Sequence, residues 1–313
     1  MVSKWHIGVA LAALMAMALS TGARADEAYI PLISKGFQHQ FWQAVKAGAE
    51  EQAKADNVKI TFEGPETEAM VDKQIDMLSA ALAKKPNALG FAALDSKAAI
   101  PLLKKAQSEK IPVIAFDSGV DSNIPLTTCR TDSVAAAATA ADKMAEAIGG
   151  SGEVAVIVHD QTSRTGIDRR DGFVNRIKDK YPHIKIVSVQ YGAGDHLKSA
   201  EIAKADIQAN PNLKGIFGAN EGSAIGAAIG VKESGKKLVL IGFDSGKAQK
   251  DAIKSGEMLG AITQNPIGIG KCTVDSAVKA LKGKTLPKVQ DTGFYWYDKS
   301  NIDDPKIAAV LYD

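Results

Sequence analysis

The stretch Val113-Ile114-Ala115-Phe116-Asp117-Ser118-Gly119 decides how this chain folds, because Leu240-Ile241-Gly242-Phe243-Asp244-Ser245-Gly246 repeats it. The tetrapeptide Phe-Asp-Ser-Gly occurs twice, with Asp117 and Asp244 lying 127 residues apart. A short apolar run closed by an acidic residue and a glycine-containing turn reads as a buried strand and its carboxyl end.

The same rhythm flanks both copies. Apolar runs near 28–33, 58–62, 88–92 and 112–116 read as strands, and so do runs near 153–158, 184–190, 214–218 and 238–242. Matching starts differ by 125 or 126 residues, so two halves of four βα units follow one plan. The segments between read as helices. Phe41, Val45 and Ala49 recur every four residues, and Val134, Ala138, Ala141, Met144, Ala145 and Ile148 mark a longer apolar stripe. Pro86, Pro112, Pro182 and Pro211 stand where a helix must end before the next strand. This alternation predicts an α/β fold of two doubly wound parallel-sheet lobes joined by a hinge. Ligands of such sheets lie beyond the carboxyl ends of the strands. Asp117 and Asp244 therefore face a crevice or, in the competing reading, cap the helices that follow them.

After Gln264 a helical pattern over 267–281 predicts a return to the first lobe, with 285–313 ending near or across the hinge. The expected division is 26–130 plus 265–293 for the N-terminal lobe, and 131–264 plus 294–313 for the C-terminal lobe. Residues 1–25 read as a cleavable secretory signal peptide: Lys4, an uncharged run over 7–19, then Ala23-Arg24-Ala25. The run is shorter than the roughly 20 residues a membrane helix needs. An uncleaved N-terminal anchor is the competing reading. The expected location is the periplasm.

Removing Lys4 and Arg24 takes the basic residues from 38 to 36, against 36 acidic ones. A balanced charge argues against a nucleic-acid partner. The two cysteines, Cys129 and Cys272, cannot build a zinc site from paired CxxC units. An oxidising compartment allows one disulfide between them, and two buried free thiols are the alternative. The Gly268–Cys272 stretch resembles the end of a phosphate-binding loop, but Asn265 and Cys272 break that pattern. No GxGxxG follows the first strand, and neither GxSxG nor HExxH occurs. No enzyme, metal or cofactor is expected.

An ordered set of motifs carries a resemblance. These are His39-Gln40-Phe41-Trp42, Phe-Asp-Ser-Gly at Asp117, Arg169-Arg170-Asp171-Gly172-Phe173, Gly218-Ala219-Asn220-Glu221, the second Phe-Asp-Ser-Gly at Asp244, and Ile262-Thr263-Gln264-Asn265-Pro266. With them the chain resembles, over essentially its whole mature length, the periplasmic sugar-binding proteins of the ribose-binding type. The resemblance implies that Phe41 and Trp42 cover the faces of a sugar, with His39 beside them. It implies that Asp117 and Asp244 bind hydroxyl pairs, Arg169 donates to them, and Asn220 and Gln264 complete the polar shell. The residue types suit that task, since C–H faces stack on aromatic rings and hydroxyls need both donors and acceptors. Ser118, expected to bind the ligand beside Asp117, stands where the ribose-type pattern has an Arg, and His39 where it has an Asn. A different pentose, a hexose or a small polyol is therefore as consistent as ribose.

Other readings of single residues stand beside these. Phe41 and Trp42 also fit the core of the first helix, His39 also fits the helix start alone, and Arg169 lies in a charged stretch that fits a solvated helix face. The expected partners are a sugar or polyol, the membrane permease of an ABC-type importer, and a chemoreceptor or sensor kinase if the chain also signals. The chain is expected to be monomeric. An exported sugar-acting enzyme with Asp117 and Asp244 as an acid and base pair is the competing function. A DNA-binding repressor of the same fold would need a helix-turn-helix where the leader stands.

Overall fold

The computed structural model describes residues 27–313. The expected signal peptide lies outside the described residues. The first half runs β1 (Tyr29–Ile33), α1 (Gln40–Asp56), β2 (Lys59–Glu63), α2 (Val71–Ala83), β3 (Leu89–Phe91), α3 (Ile100–Ser108), β4 (Val113–Phe116) and β5 (Thr127–Arg130). The second runs α4 (Ser133–Ala147), β6 (Gly152–Val158), α5 (Arg164–Lys180), β7 (Ile184–Tyr191), α6 (His196–Ala209), β8 (Leu213–Gly218), α7 (Glu221–Ser234), β9 (Val239–Phe243), α8 (Lys247–Ser255) and β10 (Gly260–Gln264). The tail adds α9 (Pro266–Leu281), β11 (Val289–Asp291), β12 (Phe294–Asp298) and α10 (Pro305–Ala308).

Two six-stranded sheets result, ordered β11-β5-β4-β3-β1-β2 and β12-β10-β9-β8-β6-β7. The first five strands of each half take the same order, the doubly wound arrangement with its switch points at β1/β3 and β6/β8. The expected α/β fold of two doubly wound sheets is thus the fold observed. Both halves carry a fifth strand, β5 and β10, and each sheet gains an edge strand from the tail. One strand departs from the all-parallel expectation: β12 pairs antiparallel with β10. Its chain enters the second sheet directly from β11 on the first, with no crossover helix to turn it round.

Side-chain alternation builds a core on both faces of each sheet. In the first, Ile30, Leu32, Ile114 and Phe116 pack under α1 and α9, while Ile33, Leu89, Phe91 and Val113 pack under α2 and α3. In the second, Val154, Val156 and Val158 meet α4 and α5, while Ala155 and Ile157 meet α6, α7 and α8. Helices α1 and α9 approach closely because both contacts are glycines. A Cβ at Gly48 would sit 2.2 Å from the Ile267 carbonyl oxygen, and one at Gly270 would sit 2.1 Å from that of Val45. The stripe expected on α4 is displaced at its start. Ala136, Ala137, Ala140, Ala141, Met144 and Ala145 are its buried face, whereas Val134 is 49% exposed. Helix α4 packs on both the sheet and α5; Ser133 and Ala137 are buried where the stripe had Val134 and Ala138, while Ala141, Met144, Ala145 and Ile148 are buried as expected.

The chain passes between the sheets three times: Arg130 to α4, Gln264 to α9, and β11 to β12. Cys129 and Cys272 form a disulfide between β5 and α9, deciding the open alternative. Among the described residues, no helix is long and apolar enough to cross a membrane.

Candidate functional site

The carboxyl ends of β1, β4, β6, β8, β9 and β10 converge on one small cavity between the sheets. Lys35, His39, Phe41, Trp42, Glu68, Asp117, His159, Thr165, Arg169, Asn220, Asp244 and Gln264 line it. Every one of them is buried.

The repeated tetrapeptide places its two carboxylates by a shared backbone device. Asp117 and Asp244 both adopt left-handed φ, 53° and 78°, directly after their strands. Such a conformation costs a non-glycine residue on the order of 1–3 kcal/mol, with Asp at the tolerant end. Each N–H still completes the sheet, Asp117 donating to Cys129 O at 2.8 Å and Asp244 to Ile262 O at 2.6 Å. The two carboxylates are then treated differently. Asp244 accepts from Gln264 Nε2 at 2.7 Å and from the Glu221 N–H at 3.0 Å. Asp117 Oδ1 is buried and has no protein partner. Burial pushes the Asp117 carboxyl up to about 6, against the pull of Arg169 and Lys35.

Arg169 points inward, unlike its neighbours Arg164 and Arg170, which pair with Asp168 and Asp171 nearer the surface. Its guanidinium lies 3.8 Å from the centre of the Phe243 ring, and Nη1 donates to Ala219 O at 3.0 Å. Arg169 Nε has no partner. Phe41 and Trp42 are both core and cavity wall. They meet edge to face at 4.9 Å, and Trp42 Nε1 donates to Glu68 Oε1 at 2.7 Å. Asn220 caps α7 through Ser223 N–H at 2.8 Å. Gln264 Oε1 and His39 Nδ1 are buried without partners. Of the nine residues expected to bind the ligand, eight line the cavity, and the expectation fails for Ser118. Its carbonyl instead accepts from Ala93 N–H at 2.8 Å, joining the ends of β3 and β4.

Four lining residues were not anticipated: Lys35, Glu68, His159 and Thr165. Lys35 and His159 follow β1 and β6, so the strand-end rule applied to the first strand of each half would have found them. The Lys35 ammonium lies 3.4 Å from Glu68 and 3.5 Å from Asp160, and donates to Thr165 Oγ1 at 3.3 Å. Burial pushes Lys35 down, but Glu68 and Asp160 hold it above the usual lysine range. Burial raises Glu68 in turn, and the Lys35 charge brings it back down, to a net value of about 2. His159 is kept neutral by burial and by Lys35. Two cations thus face three carboxylates around the cavity.

The two halves meet across this site. Glu221, at the start of α7, accepts from the Gln40 and Phe41 N–H groups of α1 at 3.0 and 3.1 Å. Gln38 Nε2 donates to Gly194 O at 3.1 Å, and Ser96 N–H to Thr162 O at 3.0 Å. Tyr312, near the end of the chain, packs against Phe41 and accepts from Ser245 N–H at 3.2 Å.

Comparison with known proteins agrees with this geometry. A family model for the periplasmic binding protein domain matches residues 30–285. The D-allose-binding periplasmic protein of Escherichia coli (strain K12) is 29% identical over 286 residues, covering 88% of this chain and 91% of that protein. A carbohydrate transporter solute-binding protein from Agrobacterium radiobacter, solved in complex with D-arabinose, superposes with a TM-score of 0.88 at 32% identity, covering 92% of this chain and 99% of that one. An ABC transporter solute-binding protein from Agrobacterium vitis with bound D-fucose gives 0.88 at 33% identity, over 91% and 100%. Sequence match, shared topology and a cavity at the strand ends lead to one statement: the chain belongs to the periplasmic binding protein family.

Proposed function

We propose that this protein captures a neutral monosaccharide or small polyol between two lobes and hands it to an ABC-type membrane importer. It does so as a monomer in the periplasm, after removal of residues 1–25. The lobes are 26–130 plus 265–293 and 131–264 plus 294–313, with the three crossings as the hinge.

The observation that carries this reading is the set of unpaired polar atoms in the cavity. Asp117 Oδ1 and Gln264 Oε1 offer acceptors, and Arg169 Nε a donor, beside the rings of Phe41 and Trp42. Buried polar atoms are normally paired, so such a cluster suits a ligand carrying hydroxyls of both polarities. The surplus of carboxylates over cations works against a sugar acid or a sugar phosphate. The relatives known to bind D-allose, D-arabinose and D-fucose support the class. Closing the lobes excludes water, which penalises any ligand that leaves one of these atoms unmatched.

A thermal-shift screen of residues 26–313 tests this. The panel is D-ribose, D-allose, D-arabinose, D-fucose, D-tagatose and xylitol, with D-galacturonate and ribose 5-phosphate as the acidic members. A neutral member should raise the melting point and be recovered chemically unchanged. At about a hundred times Kd the gain is roughly 2.7 kcal/mol. A shift from only the acidic members, or conversion of a sugar into product, would overturn the reading.

A further inference from the structure

We propose that His39 is a one-way hydrogen-bond donor to the ligand, held by Gln38 and Asn220 in the tautomer that carries its proton on Nδ1. This rests on the sugar-capturing function above and adds the polarity of one ligand contact, with Gln38 as a positioning residue outside the cavity lining.

Gln38 sets the polarity. Its Oε1 accepts from the Glu68 N–H at 2.8 Å, so its Nε2 has to be the donor end. That Nε2 donates to Gly194 O at 3.1 Å and lies 3.0 Å from His39 Nε2. Asn220 is oriented in the same manner. Its Oδ1 accepts from Ser223 N–H at 2.8 Å, which turns its Nδ2 toward His39 Nε2 at 3.5 Å. Both polar neighbours of His39 Nε2 are therefore donors. A proton on Nε2 would point at N–H groups, whereas a lone pair there accepts from them. A neutral imidazole with a bare Nε2 carries its proton on Nδ1.

Two glycines let the second half approach the ring closely. A Cβ at Gly222 would lie 2.7 Å from His39 Cε1, and one at Gly194 would lie 2.9 Å from its Nε2. His39 is 3% exposed and lines the cavity, and its Nδ1 has no protein partner. The imidazolium form is disfavoured by the same two donors, and burial pushes the pKa of the ring down. An Asn here could donate or accept. His39 in this setting only donates, so the ligand has to present an oxygen acceptor to it. Gln38 fixes the tautomer from within the first half, while Asn220 and Gly194 complete the arrangement from the second.

The test is nuclear magnetic resonance of the ring nitrogens in protein labelled with ¹⁵N-histidine, at pH 7, with His39 assigned by its loss in His39→Asn. In the empty protein Nδ1 should show the proton-bearing shift and Nε2 the bare one. Adding whichever panel sugar binds should move the Nδ1 proton and leave the tautomer unchanged. Gln38→Ala should shift the tautomer population toward Nε2–H and weaken binding about tenfold, the loss expected for one hydrogen bond. A wild-type ring protonated on Nε2 would overturn the proposal, as would an Nδ1 proton that ignores bound sugar. An unchanged tautomer in Gln38→Ala would remove the positioning role. If no panel sugar binds, the sugar function fails on its own, and the empty spectrum still decides the tautomer.

Discussion

Replacing Glu221 with Ala should weaken ligand binding by about 1–2 kcal/mol at pH 6, roughly five- to thirtyfold, by loosening the closed form. Helix α1 starts after His39, whose side chain makes no capping bond, and it has no acid in its first turn. The first N–H groups of a helix need partners. Those of Gln40 and Phe41 find theirs across the cleft, on the two oxygens of Glu221 at 3.0 and 3.1 Å. Losing a side-chain cap costs about 0.5–2 kcal/mol, and this one exists only when the halves meet. Burial first, and Asp244 second, push the Glu221 carboxyl up to about 7 from its usual 4.5. The closed form therefore holds a proton that the open form releases between those values. Its contribution is full below about 4.5 and is lost as pH rises through about 7. Parental binding should thus be weaker at pH 8 than at pH 6, and the penalty of Glu221→Ala should shrink over the same interval. Asp117, raised to about 6, adds a slope of the same sign, so the difference between parent and variant is the quantity to read. Calorimetry at both pH values measures it, and scattering radii with and without sugar report closure. Parental affinity in Glu221→Ala at pH 6, or a penalty that grows toward pH 8, would refute the reasoning.

The two aspartates of the repeat should separate. Asp117→Ala should lose about 1–3 kcal/mol of affinity with little change in the melting of the empty protein, because Oδ1 has no protein partner. Asp244→Ala should lose affinity and also melt lower, since Gln264 and the Glu221 N–H lose their acceptor; equal melting of the two variants would contradict this. Lys35→Ala leaves the Glu68 and Asp160 carboxylates buried without their cation and should cost about 3–5 kcal/mol in denaturant melts. Glu68, held at about 2, stabilises the parent above its usual 4.5 and loses that contribution as pH falls toward 2, so the acid limb of the stability curve should flatten in the variant. Reducing the Cys129–Cys272 bond, whose cysteines are 143 residues apart, should remove about 2–5 kcal/mol of stability and leave affinity below the melting range unchanged. A reduced protein with the same melting point would sink that expectation.

Eight strands, β1 to β4 and β6 to β9, were legible because they are short apolar runs bounded by proline, glycine or polar turns. Strand β5 was not, since Thr-Thr-Cys-Arg alternates buried and half-buried positions and has no apolar run. Strand β11 is three residues at a sheet edge and carries almost no pattern of its own. At the site, the repeat pointed to Asp117 and Asp244, but their unequal partners depend on where Gln264 and Glu221 fall in space. Lys35 was passed over because a lysine after a strand reads as a surface residue until its burial partners, Glu68 and Asp160, are seen. Glu221 stands in a quoted motif, yet its partner is the backbone of α1, and backbone donors leave no mark in sequence. Cys129 and Cys272 were the one possible pair, but whether they bond or stay free thiols is decided only by the folded contact between β5 and α9.

Calorimetric titration of residues 26–313 and of Asp117→Ala with the neutral sugars of the panel tests the central claim most directly. The account predicts saturable binding of at least one neutral sugar or polyol at one site per chain, weakened about tenfold or more in Asp117→Ala. Binding of a sugar with the same affinity in both proteins would contradict the placement of the site, and no binding by any neutral member would contradict the function.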